Sequence, residues 1–204
     1  MFIAKENRNT DLNEIRNFLK GNSFSILISQ HDGRSWATHI PLELDTDKEG
    51  NDILNGHLAR GNPQWKEFES HPEVLAIFNG PNAYISSSWY DHENVPTWNY
   101  IAVHIYGKIR IVDGAELLEL LKKQVDKHEK ASAHPVSVDR MSKSYVEKEI
   151  KGIVGFQIKI EEVQATYKLS QNRDIPNQQN IIIELEKRGD VHSLNIAKEM
   201  KKRK

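Results

Sequence analysis

A run of alternating residues near the middle of the chain constrains the fold more than any other feature. From Ile101 to Ile111 the odd positions are apolar except for Gly107, while the even positions include His104, Tyr106 and Lys108. A period of two residues is the period of a β-strand that buries one face. The pattern therefore predicts a mainly β fold in which the other face of this strand can meet a polar ligand.

The segment before this strand combines aromatic residues with irregular backbone. Residues 80–98 contain Pro81, Pro96, three consecutive serines at 86–88, and two of the four tryptophans. Aromatic side chains on an irregular segment are suited to holding a flat molecule. The alternative is that the same aromatic residues only fill a core.

Composition excludes several classes of protein. The chain of 204 residues is long enough to bury its own core, and it has no cysteine, which rules out disulfides, a cysteine nucleophile and a thiolate zinc site. No apolar run reaches the length of a membrane span, and the first ten residues lack the apolar centre of a signal peptide. We therefore expect a cytoplasmic protein without a membrane partner.

Charge gives little support for nucleic-acid binding by the whole chain. The net charge is −1, so no global field draws the protein onto DNA. The last 21 residues are an exception, because residues 184–204 carry seven Lys or Arg against four Asp or Glu. This basic segment could contact phosphates, or it could be a solvated helix end.

The remaining patterns predict how the chain is organised. A helix over residues 11–20 precedes a β-hairpin formed by residues 24–29 and 36–44, with Gly33 in its turn and Pro41 marking an edge or a bulge. Asp113 and Glu116 form a predicted capping box that opens a helical insertion over 113–152. Residues 174–180 read as a polar linker, followed by a helical segment that Gly189 interrupts.

The most specific local chemistry lies at residues 60–62. Asn62 can cap a helix that starts at Pro63, and Gly61 allows a tight turn just before it. Free N–H groups at a helix start favour an anion, and Arg60 adds a forked donor that suits phosphate. These residues are a candidate phosphate site, although the same pattern also starts helices that bind no ligand.

Several familiar motifs are missing from the sequence. There is no glycine-rich nucleotide loop, no HEXXH, and no glycine elbow around the serines at 86–88. The nine histidines are scattered, and their spacing does not require a metal. We accordingly predict no catalytic residue and no metal ligand from the sequence.

Four ordered segments resemble one bacterial family. The segments HLARGNPQW, GPNAYISSSWY, VPTWNYIAVHIYG and KLSQNR closely resemble the PaiB-type FMN-binding negative transcriptional regulators. The resemblance covers residues 1–173 and implies an FMN-binding split β-barrel related to pyridoxamine-phosphate oxidase, and a homodimer with FMN in clefts between subunits. The helical insertion and the C-terminal helix follow from the patterns above, and residues 174–204, which match the family poorly, would form a linker and a basic extension.

The resemblance also implies which residues hold FMN. The candidate phosphate site would take the phosphate, residues of the second strand would face the flavin, and the last segment would close the cleft. The implied cofactor-binding residues are Thr38, His39, Arg60, Gly61, Asn62, Ser86, Ser88, Trp98, Lys168, Gln171 and Arg173.

Three functions follow as hypotheses. The first is a flavin-linked repressor, of the kind that the family name connects with degradative enzymes and sporulation, acting on DNA directly or through a partner. The second is a flavin-dependent oxidoreductase or flavin reductase that uses the same cleft, since one fold hosts several functions. The third is a nucleic-acid binder without flavin that relies on the basic segment.

Overall fold

The computed structural model of the chain describes residues 1–203. The backbone separates into two compact units. Unit 1 comprises Met1–Phe18, Phe78–His104 and the residues from Gln164 onward, and unit 2 comprises Leu19–Ile77 and Ile105–Val163. Each unit is built from segments that are distant in sequence, so local patterns alone do not define them.

Over the described residues the chain forms eight strands and five α-helices. The strands are β1 (Arg8–Asn9), β2 (Phe24–His31), β3 (Arg34–Pro41), β4 (Glu43–Thr46), β5 (Asp52–Ala59), β6 (Glu73–Ile85), β7 (Thr97–Val112) and β8 (Ile153–Lys168). The helices are α1 (Leu12–Gly21), α2 (Gly114–Glu129), α3 (Lys143–Ile150), α4 (Ile175–Arg188) and α5 (Val191–Lys201).

The strands pair in the order β3-β2-β6-β7-β8-β5-β4, with β1 also beside β8. The pairings of β1 with β8, β2 with β3 and β6, and β5 with β4 and β8 are all antiparallel. Within residues 1–203, β3 and β4 each have a neighbour on one side only, so the sheet is not closed. The mainly β prediction is confirmed.

Unit 2 contains the predicted hairpin. Strands β2 and β3 are joined through Asp32 and Gly33, whose φ angles of +50° and +68° are those of a two-residue turn that matches strand twist. The second strand does not run unbroken to residue 44. It ends at Pro41, and β4 starts at Glu43, because proline has no N–H to donate to a ladder.

The helical insertion also lies in unit 2. Helix α2 starts one residue after Asp113, as predicted, and buries Leu117 and Leu120 against Val112. The predicted capping box is wrong, because the Asp113 side chain makes no capping hydrogen bond. Glu116 instead pairs with Arg110, a stronger, charge-assisted interaction.

Unit 1 holds the two C-terminal helices. Asp174 caps α4 by accepting a hydrogen bond from the backbone N–H of Asn177 at 2.9 Å. The predicted linker over 174–180 is therefore wrong, since the aspartate cap and a proline in the first turn start a helix there. The predicted break at Gly189 is confirmed by its left-handed φ of +70°. Helices α4 and α5 bury Ile181, Ile182, Leu185, Ile196, Ala197 and Met200.

A search of the described helices for a segment both long and apolar enough to cross a membrane finds none.

Candidate functional site

The structure places five of the predicted cofactor-binding residues in unit 2 and six in unit 1. Thr38, His39, Arg60, Gly61 and Asn62 belong to unit 2. Unit 1 contains Ser86, Ser88, Trp98, Lys168, Gln171 and Arg173.

Arg60 is held rigidly at the protein surface. Its Nε donates to the carbonyl of Lys151 at 2.8 Å, and its Nη2 donates to the carbonyl of Ile153 at 2.7 Å. The guanidinium also lies 5.8 Å from the centre of the Trp65 ring, within the range of a cation–π contact. These bonds use Nε and Nη2 but not Nη1, so the exposed arginine is fixed in orientation and keeps donor capacity for an anion.

The helix after Arg60 is shorter than the pattern suggests. Asn62 does cap it, accepting a hydrogen bond from the backbone N–H of Gln64 at 3.1 Å, but the helix is a five-residue 3-10 helix, Pro63–Glu67. A helix this short contributes little dipole. A methyl group added at Gly61 would meet no heavy atom within 4 Å. Any anion here would therefore depend on Arg60 and on the open space beside Gly61.

A buried hydrogen-bond network fixes this turn to the hairpin. Thr38 Oγ1 donates to Gln64 Oε1 at 2.7 Å and accepts from Asn62 Nδ2 at 2.9 Å. Gln64 is fully buried, and its Nε2 donates to Ser29 Oγ at 3.0 Å. Thr38 and Asn62 are brought together as predicted, but their side chains are engaged with each other and with Gln64.

His39 lies on the edge strand β3 and is exposed. Its ring stacks on Phe24, with centroids 6.2 Å apart and an interplanar angle of 21°. Phe24 is 66% exposed. The two aromatic rings present a flat surface on the hairpin of unit 2.

In unit 1 the serines and the tryptophan form two small features. Ser86 Oγ and Ser88 Oγ are 2.8 Å apart, and Ser86 Oγ accepts from the backbone N–H of Ser88 at 3.2 Å. Trp98 is 53% exposed and meets Tyr84 edge to face at 5.9 Å. An exposed aromatic pair of this kind can stack against a planar ring.

The predicted residues of the last segment serve different roles. Lys168 Nζ donates to Thr97 Oγ1 at 2.5 Å. Gln171 closes its own turn, since its Nε2 donates to the carbonyls of Tyr167 and Glu6 at 2.7 and 2.8 Å and its Oε1 accepts from the N–H of Leu169 at 2.7 Å. The carboxamide of Gln171 is thus committed to the backbone, whereas the ammonium of Lys168 keeps two further donors.

Arg173 lies beside two buried polar atoms that sequence reasoning missed. Its guanidinium is 5.3 Å from the centre of the Tyr90 ring, and Nη2 donates weakly to Asn94 Oδ1 at 3.4 Å. Tyr90 Oη and Asn94 Nδ2 are buried without a hydrogen-bond partner. Buried polar atoms are rarely left unpaired, so these two atoms mark a place where a polar ligand would restore the lost bonds.

The loop around Tyr90 is tied to helix α4. Asn177 Nδ2 donates to Asp91 Oδ1 at 2.8 Å, and Asn177 Oδ1 accepts from the Asp91 N–H at 3.1 Å. The hydrogen bond from Asn177 and a second one from His92 keep the pKa of Asp91 below its ordinary value. The Asp91 carboxylate is therefore charged at neutral pH and holds the loop in place.

Three cations of the basic C-terminal segment are paired within unit 1. Lys201 pairs with Glu186 at 2.5 Å, Lys202 pairs with Glu199 at 2.6 Å, and Arg203 pairs with Glu14 at 2.6 Å. Arg203 also lies 4.8 Å from the centre of the Tyr167 ring. These cations already have anionic partners, which weakens the hypothesis that they bind nucleic acid.

The donor groups fit the parts of FMN. A fixed arginine beside an open glycine suits a phosphate, while exposed aromatic pairs suit an isoalloxazine ring. Unpaired buried donors near Arg173 suit ring carbonyls or a second anionic group. The two sets of residues lie in different units.

Comparison with solved structures identifies the fold. The chain superimposes on the FAD and heme binding protein from Mycobacterium smegmatis with a TM-score of 0.61 at 12% identity, over 85% of this chain and 78% of that one. It also superimposes on the flavocytochrome Anf3 from Azotobacter vinelandii with a TM-score of 0.59 at 16% identity, over 78% and 68% of the two chains. The fold is that of the split-barrel flavoproteins, as expected; identities this low show the fold alone.

Sequence comparison then defines the family. The family described as "Putative FMN-binding domain" matches residues 1–162. The chain is 46% identical over 200 residues to the "Protease synthase and sporulation protein PAI 2" of Bacillus subtilis (strain 168), covering 98% of this chain and 96% of the relative. It is 32% identical over 190 residues to an uncharacterized protein of Emericella nidulans, covering 75% and 76%. The chain belongs to this FMN-binding family, and FMN is its cofactor.

Proposed function

We propose that this protein is an FMN-binding homodimer that acts in the cytoplasm as a negative regulator of transcription. The observation that carries the proposal is the 46% identity, along almost the full length of both chains, to a protein named for protease synthesis and sporulation. When bound, FMN supplies a ring that can accept and return electrons. The chain's own residues supply binding and orientation.

Arg60 is the residue that we assign to the FMN phosphate. Its two bonds to backbone carbonyls fix the guanidinium before any ligand arrives, so little side-chain entropy is lost on binding. The network of Thr38, Asn62 and Gln64 holds the adjacent turn. Trp98, Lys168 and Arg173 form the second group of candidates for the ring and its polar edge.

An FMN titration tests the cofactor and its site together. Purified protein should change the visible absorbance of FMN and quench its fluorescence, and Arg60→Gln should weaken the affinity at least about 10-fold, the loss expected for one charge-assisted contact. Arg140→Gln, at an exposed arginine of the insertion, is the matched control. Unchanged affinity in Arg60→Gln, together with a loss in Arg173→Gln, would move the phosphate to the second group.

The homodimer is supported by exposed apolar side chains. Phe24 on the hairpin of unit 2 is 66% exposed and stacks on the exposed ring of His39, and surface aromatics of this kind are enriched at interfaces. Sedimentation equilibrium should give twice the mass of the chain. Phe24→Ser should shift the protein toward monomer, whereas a native protein that sediments as a monomer would refute the dimer.

The ion pairs of the C-terminal segment favour regulation through a partner. The chain has a net charge of −1, and Lys201, Lys202 and Arg203 each have an anionic partner, so fewer cations are available to phosphates than the seven in the segment. We expect purified protein to give no DNA shift at physiological salt but to repress a reporter gene in cells. If a DNA shift does occur and the double variant Lys198→Gln with Lys201→Gln abolishes it, direct contact is established instead.

Oxidation of NAD(P)H above the free-flavin background would favour the oxidoreductase hypothesis.

A further inference from the structure

Three potential metal ligands converge at one end of unit 2, away from the residues assigned to FMN. His31 and Asp32 lie at the turn of the β2–β3 hairpin, and Glu67 ends the 3-10 helix Pro63–Glu67. Their candidate ligand atoms all lie within 4.8 Å of one another. Among residues 1–203 this is the only group of three or more His, Asp or Glu side chains with such an arrangement.

The contact between His31 and Glu67 does not have the geometry of a hydrogen bond. Nδ1 of His31 lies 3.0 Å from Oε1 of Glu67, yet this buried nitrogen has no hydrogen-bond partner. In a hydrogen bond the N–H points at the acceptor. Two ligands of one metal ion instead direct their lone pairs at the ion. Because metal–ligand bonds are about 2.0–2.2 Å long, the two ligand atoms then lie about 3 Å apart. The 3.0 Å separation of His31 Nδ1 and Glu67 Oε1 matches the spacing of two such ligands.

The surrounding residues fix these side chains. The backbone N–H of Asp32 donates to Oε1 of Glu67 at 2.9 Å, which ties the hairpin turn to the 3-10 helix. The Trp36 ring meets His31 edge to face at 5.2 Å and 88°. The His31 side chain is only 14% exposed. Support of this kind around a histidine and a carboxylate is what orients metal ligands.

A second histidine contacts Glu67 but is not one of the three converging residues. Nδ1 of His71 is 3.4 Å from Oε2 of Glu67 and 3.1 Å from Ser70 Oγ, and the backbone N–H of His71 donates to the Glu67 carbonyl at 2.7 Å. One imidazole and two carboxylates are a three-ligand set of the kind that holds zinc with a fourth position open to water.

We propose that His31, Asp32 and Glu67 bind a divalent transition-metal ion, with Zn²⁺ as the best match to this ligand set. Imidazole ligands exclude Ca²⁺ and Mg²⁺ as preferred ions, since both take oxygen ligands almost exclusively. Bound metal would join the hairpin turn to the 3-10 helix that follows Arg60. The alternative is a simple surface ion pair between Glu67 and two histidines.

Zinc titration of the untagged, chelator-treated full-length protein tests the proposal. Calorimetry should show one Zn²⁺ per chain, and Glu67→Gln and His31→Gln should each weaken binding at least about 10-fold, because altering even a residue behind a ligand costs that much. The control is His128→Gln, which removes an imidazole that lies 2.9 Å from Glu43 with no second acidic ligand. This variant should bind zinc like the wild type.

Two further measurements separate zinc binding from folding. Circular dichroism checks that each variant is folded, and Co²⁺ absorption in the visible range reports the number of ligands, which should fall in Asp32→Asn. Absence of zinc binding by folded wild-type protein would overturn the proposal. Equal affinity in the wild type, Glu67→Gln and His31→Gln would overturn it as well, because the bound zinc would then lie elsewhere.

Discussion

Replacement of Gln64 by leucine should strongly destabilise unit 2, although the volume of the side chain hardly changes. Gln64 is fully buried, and its carboxamide accepts from Thr38 Oγ1 at 2.7 Å and donates to Ser29 Oγ at 3.0 Å. Leucine has a similar volume but no polar atom. Ser29 is itself buried, so its hydroxyl would lose a partner that water cannot easily replace.

Gln64 also donates weakly to the carbonyls of Leu27 and Trp36, at 3.3 and 3.4 Å, and the magnitude follows from the two shorter bonds to Thr38 and Ser29. A buried group left without its partner costs about 1–3 kcal/mol, and a partly exposed one costs about 0.5–1.5 kcal/mol because water can take over. Ser29 belongs to the first kind and Thr38 to the second. We therefore expect Gln64→Leu to lower the free energy of unfolding by about 2–4 kcal/mol.

Urea unfolding followed by tryptophan fluorescence measures this loss as a lower midpoint at unchanged slope. The control is Gln30→Leu, an exposed glutamine on the same hairpin whose contact with Ser35 is long, at 3.5 Å. Adding Thr38→Val to Gln64→Leu should cost less than the sum of the single changes, since the two residues share a bond. A loss below about 0.5 kcal/mol, within the usual range for surface substitutions, would refute the reasoning.

Three further predictions concern packing, pH and the loop near Arg173. Gly107→Ala should cost about 3 kcal/mol or more in urea unfolding, because the new methyl group would lie 2.2 Å from the backbone oxygen of Lys159, which cannot turn away. Burial lowers the pKa of His57 from its ordinary 6.5. Below about pH 6.5 the unfolded state therefore binds the proton more readily than the folded state, and stability decreases as the pH is lowered. His57→Gln should make this decrease less steep in unfolding midpoints measured from pH 8 to 5, and an unchanged slope would contradict the prediction. Asn177→Ala should lower stability by about 1–3 kcal/mol by removing the two partly buried bonds to Asp91, with near-ultraviolet circular dichroism reporting the loosened tyrosine environment.

Local rules predicted the elements whose signals are short. The alternation through Ile101 to Ile111 predicted a strand, Asn62 and Pro63 predicted a helix start, and Gly189 predicted a break, all of which the structure confirms. The same rules failed where tertiary contacts compete. Glu116 was predicted to cap its own helix, but a neighbouring arginine on β7 offers a charged partner.

The candidate sites depended on contacts that no local pattern contains. Gln64 was not selected because a glutamine in a polar stretch looks solvated, yet it is the centre of the network around Thr38. Asp32 and Glu67 are 35 residues apart and meet only because the hairpin folds back onto the 3-10 helix. The spacing of residues in a motif can predict metal ligands that lie on one helix, strand or turn, but not a set of ligands supplied by two such elements.

The ion pairs at the C-terminal end have a consequence for any polyanion that meets this protein. Phosphate groups would have to displace the carboxylates of Glu186, Glu199 and Glu14 before they reached Lys201, Lys202 and Arg203. Added salt screens those internal pairs as well as the new contacts, so the two effects oppose each other. The dependence of binding on ionic strength would therefore be shallower than a count of basic residues suggests, and a shallow slope alone would not mean that few cations take part.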